Sequence, residues 1–295
     1  MWILLACTGD PATEDQPRWG STEWSGTAPD GGFGARLASD GTRAWVSAPW
    51  ACAVFAVEPG ESPTALFDGE RDTFCGLGLA PGLWGAPGQG GTLYADRVAL
   101  ATGDQVGGVI AGTAAAWVAS TATGYRDHSG RDTTLGTRPD ALLLDGDHVI
   151  AGAAHGDVSL WVDGVPEARS TPGDERGYAL ARCDADGDGN EERIVGVPGR
   201  GLVEIDGAMI GPGTGRFGAS VACGSPGTIY VGAPTAGALH HGAVYVVQDG
   251  VATTLATGKE LDELGSALAV ASAHLLVGAP GPAASAGRVV VMPID

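Results

Sequence analysis

An all-β ring of seven four-stranded sheets is the fold this sequence predicts, and three observations carry the prediction. Glycine and proline are abundant in a chain that is still rich in apolar residues. A short apolar–Gly–Ala–Pro slot recurs along the chain about every 39 residues. The last repeat lacks a fourth strand, which a segment near Trp24 is placed to supply.

The 295 residues include 50 Gly and 18 Pro. Each mid-helix glycine costs roughly 0.5–1 kcal/mol relative to alanine, so this composition argues against a helical protein. It does not describe a disordered chain, because 44% of residues are hydrophobic and only 17% are charged. Glycine follows no strict three-residue period, which excludes collagen. The net charge of −19 excludes a counterion-displacing nucleic-acid binder, disfavours anionic membranes and favours divalent cations.

The slot appears as Trp45-Val46-Ser47-Ala48-Pro49, Trp84-Gly85-Ala86-Pro87, Val195-Gly196-Val197-Pro198, Val231-Gly232-Ala233-Pro234 and Val277-Gly278-Ala279-Pro280. Weaker copies run from Ile110 to Ala114 and from Ile150 to Ala154. Phe33-Gly34, Phe217-Gly218 and Leu264-Gly265 stand 16 or 17 residues ahead of their proline slots. Cys75-Gly76, Leu135-Gly136 and Arg176-Gly177 take that place in units two, four and five, and the third unit shows no clear counterpart. The sixth unit reads as four strands: 219–223, 228–231, 242–247 and 251–255. Four short strands in a repeat of this length select a β-propeller. The seventh unit ends on its third strand, Arg288 to Met292. Fourth-strand Leu255 and Leu66 each precede the Phe-Gly slot by nine residues, and nine before Phe33 is Trp24. The segment around 21–26 is therefore expected to be the outer strand of the last blade, closing the ring and removing an exposed edge.

The paired Phe-Gly and Gly-Ala-Pro markers resemble the FG-GAP repeat of integrin α-subunit propellers and their bacterial relatives, over roughly residues 21–295. That resemblance implies seven blades. It also implies a ligand face built from two loop sets, those between second and third strands and those joining blades. The first set is 50–52, 199–201, 235–242 and 281–287, and the second is 125–135, 171–177 and 212–216. Trp50, Tyr125, Arg126, His128, Arg200 and Arg216 are the candidate ligand-face residues.

One motif carries specific chemistry. Asp184-Ala185-Asp186-Gly187-Asp188-Gly189-Asn190-Glu191-Glu192 alternates carboxylates, then turns on glycine, as a hard-cation loop does. An EF-hand needs Glu at the twelfth position, where this chain has Val195 inside a strand. The loop instead resembles the nine-residue calcium hairpin of integrin-type propellers. By that resemblance Asp184, Asp186 and Asp188 supply side-chain oxygens, Asn190 its carbonyl, and Glu192, where the family has Asp, closes the site. A single structural Ca²⁺ is the expectation. Turns such as Asp40-Gly41 and Asp145-Gly146-Asp147 are too short to hold another ion.

Other chemistry finds little support. The six histidines show no zinc-ligand spacing, and His240-His241 would point to opposite sides of an extended segment. No Ser-His-Asp signature is present, and Gly88 to Gly91 lacks the lysine and helix of a phosphate loop. Trp45, Trp84, Trp117 and Trp161 fall on strands and read as core, leaving Trp50 as the exposed aromatic.

At the start, Leu4-Leu5-Ala6-Cys7 resembles a bacterial lipobox, with Cys7 the lipidated residue and residues 8–17 a polar tether. Six residues without a basic side chain precede Cys7, so an ordinary N-terminal tail stays open beside it. Residues 1–20 are thus leader and tether, and 21–295 a single propeller. Lipidation of Cys7 leaves Cys52, Cys75, Cys183 and Cys223, either paired or as buried thiols. Of the possible pairings, Cys52–Cys75 and Cys183–Cys223 would each link neighbouring blades. The functional expectation is an exported, monomeric binding or adhesion module for a protein or glycan, held to a membrane only through the lipid. A propeller-type glycosidase or lyase and a purely structural surface protein are the alternatives.

Overall fold

The computed structural model describes residues 23–26, 28, 31–58, 61–68, 74–88, 90–95, 97–282 and 285–294. The proposed leader, tether and Cys7 lie outside them. Blade 1 is β2 (Arg36–Ser39), β3 (Ala44–Ala48), β4 (Ala53–Val57) and β5 (Thr64–Asp68), preceded in the chain by β1 (Glu23–Ser25). Blade 2 is β6 (Gly78–Ala80), β7 (Leu83–Ala86), β8 (Thr92–Ala95) and β9 (Val98–Thr102). Blade 3 is β10 (Ile110–Thr113), β11 (Ala116–Ser120), β12 (Gly124–Asp127) and β13 (Asp132–Thr134). Blade 4 is β14 (Ala141–Asp145), β15 (His148–Gly152), β16 (Val158–Val162) and β17 (Val165–Arg169). Blade 5 is β18 (Leu180–Cys183), β19 (Glu192–Val197), β20 (Leu202–Ile205) and β21 (Ala208–Ile210). Blade 6 is β22 (Ser220–Cys223), β23 (Ile229–Ala233), β24 (Ala243–Gln248) and β25 (Val251–Thr257). Blade 7 joins β26 (Ala267–Ala271), β27 (His274–Ala279) and β28 (Arg288–Pro293) to β1.

Every blade is a four-stranded antiparallel meander, and the first strand of each touches the first strand of its two neighbours around the whole ring. The chain is a seven-bladed β-propeller. Its ring closes as the sequence predicts: Trp24 pairs with Val289 and is 3% exposed. Antiparallel meanders place alternate connections at opposite ends. One face therefore carries the first–second and third–fourth strand hairpins. The other carries the second–third loops and the blade-to-blade loops.

The glycines of the two markers meet at the blade boundaries. A Cβ on Gly232 would lie 2.0 Å from the Gly265 carbonyl oxygen, and one on Gly278 would lie 2.0 Å from that of Gly34. In each case the amide of the Phe-Gly glycine bonds within its own blade, Gly265 to the Gly278 oxygen and Gly34 to that of Ser47. Neighbouring backbones are thus in contact where a side chain would stand. The residue before that glycine plugs the boundary core: Phe33, Cys75, Phe217 and Leu264 are buried. Burial falls outward, from the wholly buried second strands β3 and β23 to the largely exposed outermost β25. Trp45, Trp84, Trp117 and Trp161 are core residues, 1–6% exposed. Disulfides join Cys52 to Cys75 and Cys183 to Cys223, between blades 1 and 2 and blades 5 and 6.

Two repeat assignments are corrected. In blade 3 the stretch from Ile110 is the first strand, so the proline slot is not Ala114 but Thr121, directly after β11. Val106-Gly107 takes the Phe-Gly slot: Val106 is fully buried and the Gly107 amide bonds the Ser120 oxygen. Valine for phenylalanine and threonine for proline hid both markers. In blade 4 the slot is not Leu135-Gly136, whose amides bond Thr123, but Pro139-Asp140, where the Asp140 amide bonds the Gly152 oxygen.

Candidate functional site

The hairpin face carries the acidic loop between β18 and β19. Asp184 accepts the Gly187 amide at 2.7 Å and the Gly189 amide at 3.1 Å, on separate oxygens. Asp186 accepts the Asp188 amide at 3.0 Å, and Asp188 accepts both nitrogens of Asn190. These bonds fold the loop so that oxygens of Asp184, Asp186 and Asp188 lie within 4.8 Å of one another. Two oxygens on one Ca²⁺ stand at most about 5 Å apart, so the three carboxylates fit a shared hard cation. Glu192 stands apart from that trio. It is 9% exposed at the start of β19, and its carboxylate accepts the Ala185 amide at 2.7 Å, bracing the hairpin from within. Asn190 turns its side chain toward Asp188.

The opposite face receives the longer loops. Trp50 sits on a 3-10 turn, Pro49–Ala51, and is 41% exposed. Its ring lies over Gly32, where φ is +63° and a Cβ would fall 1.8 Å from the indole. Arg200 is exposed in the β19–β20 loop, 3.9 Å from Asp174. Arg216 pairs with Glu175 at 2.8 Å and lies 5.1 Å over the Tyr178 ring. The His240 and His241 carbonyls accept the Glu263 and Leu264 amides, so this pair buttresses the next blade-to-blade loop.

The sequence-based ligand face is not one surface. Residues 125–135 are not a blade-to-blade loop but the β12–β13 hairpin and its flanking strands. Tyr125 is 3% exposed in the blade core, where burial raises its pKa. Arg126 lies on β12, bidentate to Asp132 at 2.7 Å, with a third bond to the Thr102 oxygen at 2.8 Å. His128 is exposed in the turn on the hairpin face. Trp50, Arg200 and Arg216 share the opposite face; Tyr125, Arg126 and His128 do not join them. The sequence error follows from blade 3, whose shifted markers made its last hairpin look like a connector.

On the Trp50 side, the central channel opens into a cavity of about 310 Å³ lined by residues at or just before the start of the innermost strand of all seven blades. Four ionisable side chains there escaped the sequence reading: Arg36, Arg138, Asp140 and Tyr178. Arg36 is ringed by protein yet open to channel water. That enclosure lowers its pKa; Tyr178 opposes the shift and Arg138 adds to it. Asp140 accepts the Ala154 amide at 2.8 Å. The signal available in the sequence was positional. Arg36 and Tyr178 follow a Phe-Gly-type glycine by one or two residues, where other blades have Leu77, Val109, Ala219 or Ser266.

No family model matches the chain, and no curated protein matches it. Solved structures do. One is described as the mitotic checkpoint complex, with a TM-score of 0.65 and 12% identity, covering 99% of this chain and all of that one. Another is virginiamycin B lyase from Staphylococcus aureus, with a TM-score of 0.63 and 10% identity, covering 92% of this chain and 98% of that one. At such identities the likeness shows the propeller fold and nothing finer.

Proposed function

We propose that this propeller is a non-enzymatic binding module of the cell surface or periplasm, tethered through a lipid on Cys7 and taking its ligand on the face that holds Trp50 and Arg200. The reading remains FG-GAP-like, with one structural Ca²⁺ held in the β18–β19 hairpin by Asp184, Asp186 and Asp188. The observation that carries it is the channel mouth itself: seven blades converge on one cavity of about 310 Å³, within the usual size of ligand sites, on the face with the longer loops. The ion stands on the opposite face, where it offsets the repulsion of three clustered carboxylates and stiffens a turn rather than touching a ligand.

A lyase or glycosidase is the second reading, favoured by Tyr178, a titratable hydroxyl that lines the channel together with Arg36. Glycosidases work through a pair of carboxylates, whereas Asp140 is the lone carboxylate lining this mouth among the described residues. Screening the full chain against glycan and protein arrays tests the proposal. Binding that falls in Trp50→Ala or Arg200→Glu is expected, and a ligand consumed during the assay would replace the binding module with the enzyme. A chain that retains nothing on either array would leave the structural surface protein.

A further inference from the structure

Among the described residues eight arginines are ion-paired with carboxylates. Arg36 and Arg138 are not among them, although both line one cavity. Among the described residues Arg36 donates a single hydrogen bond, to its neighbour's Ala35 oxygen at 2.9 Å. A guanidinium has five N–H donors, so among the described residues most of those of Arg36 and all of those of Arg138 have no protein acceptor. The carboxylate in this lining, Asp140, already accepts the Ala154 amide, and two guanidinium groups outnumber it. Leu77 and Arg138 also line a groove that continues outward to Trp50 and Phe74, each 41% exposed. The Trp50 ring packs against Gly32 and stays partly exposed along the groove. Asp104 and Gln105 border the same groove.

We infer that the channel mouth is a subsite for an acidic saccharide, with a uronate carboxylate between Arg36 and Arg138 and the adjoining sugar ring along the Trp50 groove. Guanidinium forks match carboxylate geometry in two parallel bonds, and an indole face suits the C–H face of a pyranose. The Arg216 guanidinium does not compete for the ligand, because Glu175 holds it. The protein's overall negative field is screened beyond about 8 Å at physiological salt, so the local pair decides. This inference rests on the binding-module reading and names the ligand class of its face.

The test is calorimetric titration of the full chain with a uronate trisaccharide, its carboxyl-reduced neutral counterpart, an acidic peptide and inorganic phosphate. The uronate is expected to bind, more weakly as salt rises, with the neutral sugar at least about tenfold weaker. Arg36→Gln and Arg138→Gln should each cost about tenfold or more, and Trp50→Ala about threefold to tenfold. Arg43→Gln, on the hairpin face, should bind as the parent does. A common thermal midpoint across the variants separates lost contacts from lost folding. Equal binding of the neutral sugar, or preference for the peptide or phosphate, overturns the inference while leaving a binding module. No uronate binding overturns it too. Cleavage of the trisaccharide keeps the subsite but removes the non-enzymatic reading.

Discussion

The two faces of this propeller are built by different means. On the hairpin face, acids satisfy amides a few residues away. Asp40 accepts the Thr42 and Arg43 amides, and Asp127 those of Ser129 and Arg131. The 184–190 loop does the same four times over. On the channel face the contacts join distant segments: Arg216 reaches Glu175 across 41 residues, and Arg288 bonds both Asp262 and, across 265 residues, Glu23. The turns of the first face are folded by local chemistry, with the Cys183–Cys223 disulfide and the Arg182–Asp145 pair tying neighbouring blades together there. The other exists only when the ring is assembled. Function placed on the second face is therefore tied to closure of the whole molecule.

The strongest way to break the contrast is at a blade boundary. Gly232→Val would drive a side chain into the Gly265 carbonyl, and a loss of roughly 3–5 kcal/mol is expected, read as insoluble protein or a collapsed thermal midpoint. Next comes the seam. Arg288 and Asp262 are both 14% exposed, and removing one partner strands the other. Arg288→Ala should cost about 2–3 kcal/mol, or roughly 5–10 °C in midpoint, with hydrogen exchange accelerated first in β1 and β28. An unchanged midpoint would mean that the seam does not depend on this cluster.

The same cluster gives a pH dependence. Burial alone would raise the Asp262 pKa, but bonds from Arg288 and the Lys259 amide, with their charges, outweigh it and leave it below its ordinary 3.8. A depressed carboxylate contributes stability above its unfolded pKa and loses it as pH falls through the folded value. Melting between pH 7 and about pH 3 should thus show a loss beginning below about pH 4, shallower in Arg288→Ala.

On the hairpin face the expected effects are smaller and separable. Calcium at about a hundredfold over its dissociation constant should add about 2.7 kcal/mol, reversed by chelator and abolished in Asp186→Ala. An EDTA-insensitive midpoint would remove the ion from the hairpin. Asp40→Ala should cost only about 0.5–1 kcal/mol, since it frees two amides that water can reach. A loss as large as that of Arg288→Ala would erase the difference between the faces.

What the sequence disclosed follows the same division. The Gly-Ala-Pro slots, the Asp-Gly turns and the 184–192 loop are local, and each was legible from spacing. The closing strand was legible because a repeat with one strand missing needs it elsewhere. Blade 3 misled because Val106 and Thr121 replace the expected markers, and Tyr125, Arg126 and His128 went to the wrong face with it. Arg36, Arg138 and Tyr178 lie 40 or more residues apart, and only the ring brings them together. No local pattern announces such a set.

Closure by β1 has a mechanical side. A pull on the chain ahead of Glu23 enters the ring at a strand of three residues, held by its ladder to β28 and by the Glu23–Arg288 bond. Tension along the strand loads those bonds together, in shear. Tension across it peels them one after another. If the protein is tethered at its N-terminal side, the direction of drag on a bound ligand sets how much force the ring bears before blade 7 opens. The channel mouth, which needs that blade, would release its ligand at the same moment.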